Sequence, residues 1–110
     1  MPELPEPFVQ FQTQYAAVAT AWQRLGEACA DAGPLDAKTR ELIRLATAVG
    51  GRLEGAVHSH VRRALDAGAR PEEIRHVVVL AAPTAGFPTA VAAFTWIEDI
   101  LRGSTRSERL

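Results

Sequence analysis

Residues 53–68, LEGAVHSHVRRALDAG, give the clearest indication of the fold class, because their apolar side chains recur at the three- and four-residue spacing of a helix. The stretch ends at Gly68, and glycine commonly follows the last helical residue. At 100° per residue, His60 falls in the middle of the apolar face, whereas His58 falls on the other side. The pattern predicts a helix that buries one face and carries a histidine on it. The apolar positions are Leu53, Ala56, Val57, Val61, Ala64 and Leu65.

The rest of the sequence predicts four more helices, separated by proline- and glycine-containing turns. They cover about residues 8–32, 36–49, 70–82 and 88–101. Part of the third of these is ambiguous, because the run Val77-Val-Val79 would also suit a buried strand. Pro71 in its first turn, followed by two acids, favours a helix. The prediction is an all-α fold, a single small domain over 1–110 of about five helices, with a flexible tail at 102–110.

Composition excludes several classes of function. The chain has 110 residues, 12 basic and 13 acidic, and a formal net charge of −1. This balance removes the electrostatic argument for a nucleic-acid binder or a protein of anionic membrane surfaces. Cys29 is the only cysteine, so the chain cannot form an internal disulfide, a Cys-x-x-Cys redox pair or a multi-thiolate zinc site.

A membrane span and a secretory signal are both rejected on sequence grounds. Residues 77–97 carry no charge and would be long enough to cross a bilayer, but Pro83, Gly86 and Pro88 interrupt them. Two short buried helices joined by a turn explain this segment better. Residues 1–7 contain acids and three prolines instead of a basic start and an apolar run. We therefore expect a cytoplasmic protein.

The last predicted helix carries apolar residues on more than one face. Val91, Phe94 and Ile97 lie on one side, and Trp96 and Ile100 lie on another. A helix that is apolar all round must be buried somewhere, and this is more apolar surface than one 110-residue core needs to cover. The pattern predicts contacts between subunits, and hence a homo-oligomer.

His60 is the strongest candidate for chemistry, with Glu41 as its natural partner. A buried histidine beside a carboxylate can transfer protons near neutral pH, and Glu41 lies on the preceding helix, at the flank of the face that packs against His60. The alternatives are a core histidine bonded to a backbone carbonyl and a solvated glutamate. Glu54 and His58 are four residues apart, which predicts a surface pair, and Glu54 could equally serve as a helix cap.

Metal binding finds little support in the sequence. His58 and His60 point about 200° apart on a helix, so they cannot share one ion, and no metal or cofactor is predicted. His76 is expected on the solvated side of its helix. Cys29 is expected to be a small buried hydrophobic residue, as lone cysteines often are.

Four segments together are similar to the carboxymuconolactone decarboxylase family, which includes the alkylhydroperoxidase D proteins. They are residues 39–46, TRELIRLA; residues 54–69, EGAVHSHVRRALDAGA; residues 71–74, PEEI; and residues 85–88, AGFP. The resemblance covers about residues 35–101. It implies an all-α subunit that assembles as a trimer or a hexamer, with a site near the subunit contacts.

The peroxidase branch of that family uses a glutamate, a Cys-x-x-Cys pair and a histidine. By resemblance the glutamate falls on Glu41 and the histidine on His60, while Leu53 and Ala56 stand where the two cysteines would be. Dithiol chemistry is therefore unavailable to this chain. The decarboxylase branch also lacks the cysteine pair, and it is similar in having an acid near Glu54 and a histidine at the position of His60.

Three hypotheses of function follow. In the first, the protein acts on a small organic acid or lactone, with His60 as acid and base and Glu41 or Glu54 orienting it. The second is a peroxidase-like activity, which the missing cysteines disfavour. The third is a non-enzymatic helical oligomer that binds a small ligand or a partner protein, with His60 as an ordinary core residue.

Overall fold

The computed structural model describes residues 4–109, and side chains for residues 4–103. All regular structure in these residues is helical, which confirms the all-α class with six helices instead of about five. The tail predicted to be flexible, residues 102–110, lies largely outside the residues whose side chains are described. The backbone of α6 remains helical past Leu101, as far as Arg109. The helices are α1 (Glu6–Gln14), α2 (Ala16–Asp31), α3 (Ala37–Gly50), α4 (Glu54–Asp66), α5 (Pro71–Ala85) and α6 (Phe87–Arg109).

The chain divides into two compact units, Met1–Leu35 and Asp36–Leu110. Helices α1 and α2 belong to the first unit, and helices α3 to α6 belong to the second. The single domain expected over 1–110 stays a prediction. The candidate chemistry lies entirely in the second unit.

The first unit differs from the predicted single helix by a break at Tyr15. The backbone of Tyr15 leaves the helical region, with φ −124° and ψ 54°, so that it ends α1 and precedes α2. The apolar side chains keep their helical spacing across the break, which is why the sequence pattern shows one helix. Neither α1 nor α2 has a buried residue.

The second unit has a core of aliphatic side chains from α3, α4, α5 and α6. Its helices begin within one residue of the predicted starts, whereas α5 and α6 end later than predicted, at Ala85 and Arg109. Asp36 caps α3 by accepting a hydrogen bond from the backbone N–H of Thr39 at 2.8 Å, and this bond is the main reason that the pKa of Asp36 is lowered. Gly68 follows α4 with φ +97°, a conformation that favours glycine. The largest fully buried side chains are Leu45, Val49, Val57, Val61, Ile74 and Ile97.

The ambiguous segment after Pro71 is helical. Helix α5 continues through Pro83 to Ala85 and ends at Gly86, whose φ of +102° allows the chain to turn into α6. Pro83 removes one helical hydrogen bond, close to the exposed Val79 and Leu80, where water can replace it. None of the helices in the described part of the chain combines the length and the hydrophobicity that crossing a bilayer requires.

Ion pairs join the helices of the second unit around the core. Lys38 Nζ lies 3.0 Å from Glu73 Oε2. The backbone N–H of Arg70 and, secondarily, Lys38 lower the pKa of Glu73 to about 2. Glu98 is 8% exposed and accepts hydrogen bonds from Arg75 Nε at 2.7 Å and Arg102 Nε at 3.1 Å. Arg75 is the main reason that the pKa of Glu98 lies below its ordinary value.

Candidate functional site

His60 and Glu41 form a hydrogen-bonded pair between neighbouring helices. His60 Nδ1 on α4 lies 2.9 Å from Glu41 Oε2 on α3. The side chain of His60 is 20% exposed and that of Glu41 is 12% exposed. Helices α3 and α4 pack directly against each other, so two well-ordered elements hold the pair. The pairing expected from sequence between these two residues is present in the structure.

The contact with Glu41 determines which ring nitrogen of His60 carries the hydrogen in the neutral form. An ionised carboxylate only accepts hydrogen bonds, so Nδ1 of His60 carries the hydrogen that Glu41 accepts. The other ring nitrogen, Nε2, is then left to exchange a proton with another molecule. This is the arrangement that general acid–base catalysis by histidine requires.

Arg44 extends the pair into a group of three, which the sequence analysis missed. Its Nη1 donates to Glu41 Oε1 at 2.8 Å, and its side chain is only 29% exposed. Both oxygens of Glu41 are therefore engaged, one by His60 and one by Arg44. The position of Arg44 three residues after Glu41 on one helix was the available signal.

Glu54 belongs to a different group from His60. It lies with His58 and Asp99, and one ligand atom from each of the three residues falls within 4.8 Å of the others. Of the two carboxylates considered for orienting His60, it is Glu41 that bonds to the ring. His58 is half-buried, and its Nε2 lies 3.2 Å from Asp99 Oδ2 on α6. This contact between helices is additional to the pairing with Glu54 that was expected within α4.

The remaining candidates are His76, Cys29 and the two positions that would hold thiols. His76 is exposed, as expected. Cys29 is also exposed, so the expectation of a buried cysteine is wrong for the single chain, because α2 buries none of its residues. At the two positions where the family resemblance would place thiols, Leu53 is 54% exposed and Ala56 is half-buried.

A surface groove of about 390 Å³ lies along α6. Asp99 lines it, together with Phe94, Thr95, Glu98, Arg102 and Gly103. His60 and Glu41 are not part of this lining. The groove therefore adjoins the group that contains His58 and not the His60–Glu41 pair.

Comparisons with known proteins point to one family. Residues 16–99 match the model of the carboxymuconolactone decarboxylase family, a range that begins further towards the N terminus than the predicted 35–101. The crystal structure of an apo carboxymuconolactone decarboxylase family protein from Legionella pneumophila is similar, with a TM-score of 0.71 and 27% sequence identity. The similarity covers 86% of this chain and 87% of that one.

A curated sequence is similar over a shorter stretch. A Haemophilus influenzae protein named only as uncharacterized is 46% identical over 57 residues, which are 52% of this chain and 50% of that protein. The chain thus matches about half the length of this curated relative. The family model and the structural similarity indicate the same family.

Proposed function

Because the chain belongs to the carboxymuconolactone decarboxylase family, we propose that it acts on a small organic acid or lactone by proton transfer at His60. The observation that supports this most is the 2.9 Å contact between His60 Nδ1 and Glu41 Oε2. Glu41 orients the ring by accepting its Nδ1 hydrogen, and Arg44 holds Glu41 from the other side. Arg44 also places a positive charge beside the pair, which favours a substrate that carries a carboxylate.

The reaction that suits these groups is a decarboxylation. The bond between the carboxylate carbon and its neighbour breaks, carbon dioxide leaves, and the electron pair stays on the neighbouring carbon. An adjacent unsaturated or carbonyl group of the substrate must delocalise this pair. Protonated His60 then delivers the hydrogen on Nε2 to that carbon, and it remains neutral with its Nδ1 hydrogen held by Glu41. Bonds, charges and protons balance without a cofactor.

A substitution at His60 tests this proposal directly. Release of carbon dioxide from carboxymuconolactone and a panel of small lactone acids is measured for the wild type, His60→Gln and His76→Gln. Glutamine keeps a polar side chain at position 60 but cannot act as an acid or base, so we expect at least about a hundredfold loss of turnover. His76→Gln, at an exposed histidine on α5, should match the wild type. Equal turnover in His60→Gln would contradict the proposal.

Two further variants, Cys29→Ser and His60→Leu, test the other two hypotheses. Thiol-dependent reduction of a hydroperoxide that is lost in Cys29→Ser would support the peroxidase reading. An absence of carbon dioxide release across the panel, together with a folded His60→Leu variant more stable than the wild type, would support the non-enzymatic reading, because an unused buried polar group is removed at no cost. We also propose that the protein is located in the cytoplasm.

The proposal includes assembly into a trimer or a hexamer, supported by exposed apolar side chains in both units. On α2, Val18, Trp22 and Leu25 are 56%, 57% and 61% exposed and lie at helical spacing. On α5 and α6 the exposed set is Val79, Leu80, Phe87, Val91 and Phe94. Apolar surface of this kind marks contact sites.

Sedimentation measures the assembly. We expect a particle of three or six chains of 11.9 kDa at micromolar concentration, because burying these side chains stabilises the complex. Sedimentation is run on the wild type and on Trp22→Ser, which removes the largest exposed side chain of the α2 stripe and should weaken association. A wild-type protein that sediments as a monomer would contradict this part of the proposal.

A further inference from the structure

The group formed by Glu54, His58 and Asp99 is a second site of chemical interest on α4. Glu54 and His58 lie one turn apart on α4, and Asp99 reaches them from α6, which packs against α4. One imidazole nitrogen and two carboxylate oxygens fall within 4.8 Å of one another. This convergence joins two helices that are far apart in sequence, so helix periodicity alone does not produce it.

The charges in the group are not compensated by basic side chains. Glu41, Glu73 and Glu98 each pair with at least one lysine or arginine. Within residues 4–103, by contrast, no lysine or arginine forms an ion pair with Glu54 or Asp99, and His58 is the only ion-pair partner of Asp99. Two carboxylates held close together favour the binding of a cation between them.

We propose that Glu54, His58 and Asp99 bind a divalent transition-metal ion of the Zn²⁺ type. The donor set decides the class of ion: imidazole suits zinc and its neighbours, whereas Ca²⁺ and Mg²⁺ prefer oxygen ligands alone. Zinc bonds of about 2.0–2.1 Å in a tetrahedral arrangement place ligand atoms about 3.3 Å apart. His58 Nε2 and Asp99 Oδ2 already lie at 3.2 Å, and a rotation of the exposed Glu54 side chain closes the remaining distance.

The groove along α6 gives such an ion access to other molecules. Asp99 lines this groove, so one side of the metal would face the open space. Three protein ligands leave a fourth position of a zinc ion for water or for an atom of a bound ligand. The site is separate from the His60–Glu41 pair, because His58 and His60 project about 200° apart from the same helix.

Calorimetric titration of metal-free protein with Zn²⁺ alone tests the proposal. We expect one Zn²⁺ per chain, and an affinity at least about tenfold lower in His58→Gln and in Asp99→Asn, since each removes a ligand. His76→Gln and Asp66→Asn are matched controls, because they change an exposed histidine and an exposed acid outside the group. His60→Gln should also bind Zn²⁺ normally, which distinguishes this site from the proposed proton-transfer site.

A second measurement uses the wild type only and does not depend on how the variants fold. The ring ¹⁵N resonances of the three histidines are followed during addition of Zn²⁺, and those of His58 should shift while those of His60 and His76 do not. The proposal is overturned if the wild type shows no saturable binding, if His58→Gln binds as tightly as the wild type, or if the histidine that responds is His60 or His76.

Discussion

Replacing Ile97 by alanine is expected to lower the free energy of unfolding by about 2–5 kcal/mol. Ile97 is 0% exposed and lies in the core that α3, α4, α5 and α6 share. Its truncation leaves a cavity that the surrounding helices can fill only in part, so both the transfer energy and the packing energy of the lost atoms are forfeited. Urea unfolding followed by circular dichroism measures the loss.

The matched control for this change is Ile43→Ala. Ile43 is also on a helix of the second unit, but it is 49% exposed, so the same substitution should cost about 0.5 kcal/mol or less. Both variants are compared with the wild type at the lowest workable protein concentration, where association contributes least. An equal loss of unfolding free energy in the two variants would contradict the placement of Ile97 in the core.

Replacing Glu41 by glutamine is expected to reduce turnover by about 10²–10⁴-fold. Glutamine keeps the size of the side chain, but its amide can donate to Nδ1 of His60, which a carboxylate cannot do. The ring hydrogen then moves to Nε2 in the neutral form, and the ring loses the acceptor that held its Nδ1 hydrogen. Glu41 is a positioning residue in this account, because it acts through His60.

Two measurements separate positioning from a merely structural role of Glu41. In Glu41→Gln the ring ¹⁵N shifts of His60 should change from the Nδ1–H to the Nε2–H pattern. The loss of turnover should appear mainly as a lower kcat, with a smaller change in KM. Glu72→Gln is the control, since Glu72 is an exposed acid on α5 paired with Arg70, and it should leave both readouts unchanged. An unaltered His60 tautomer would contradict the assignment.

Much of the second unit could be predicted from sequence because its signals are local. The Asp36 cap, Pro71 in the first turn of α5 and Gly68 after α4 each act within a few residues, and the helices begin and end beside them. The break at Tyr15 has no such signal. Its backbone leaves the helical region while the apolar spacing continues across it.

Helix periodicity was sufficient to predict the part of the candidate site that depends on the faces of α3 and α4. Periodicity placed His60 on the face turned towards α3 and Glu41 on the flank of α3, and the two side chains meet. The contact between His58 and Asp99 could not be predicted in this way, because it depends on how α6 packs against α4, 41 residues further along the chain. The ion pair of Arg44 with Glu41 was not predicted, although the spacing of three residues on one helix allows it.

The absence of buried residues in α1 and α2 has a consequence for denaturation. The sensitivity of unfolding to denaturant scales with the surface that becomes newly exposed, and helices without a buried residue add less to it per residue than the core helices do. For an isolated chain the m value therefore corresponds mainly to the second unit, Asp36–Leu110, and not to the full length. In the proposed assembly, coverage of the α2 stripe by another subunit would raise both the m value and the heat-capacity change, so the two quantities would report assembly as well as folding.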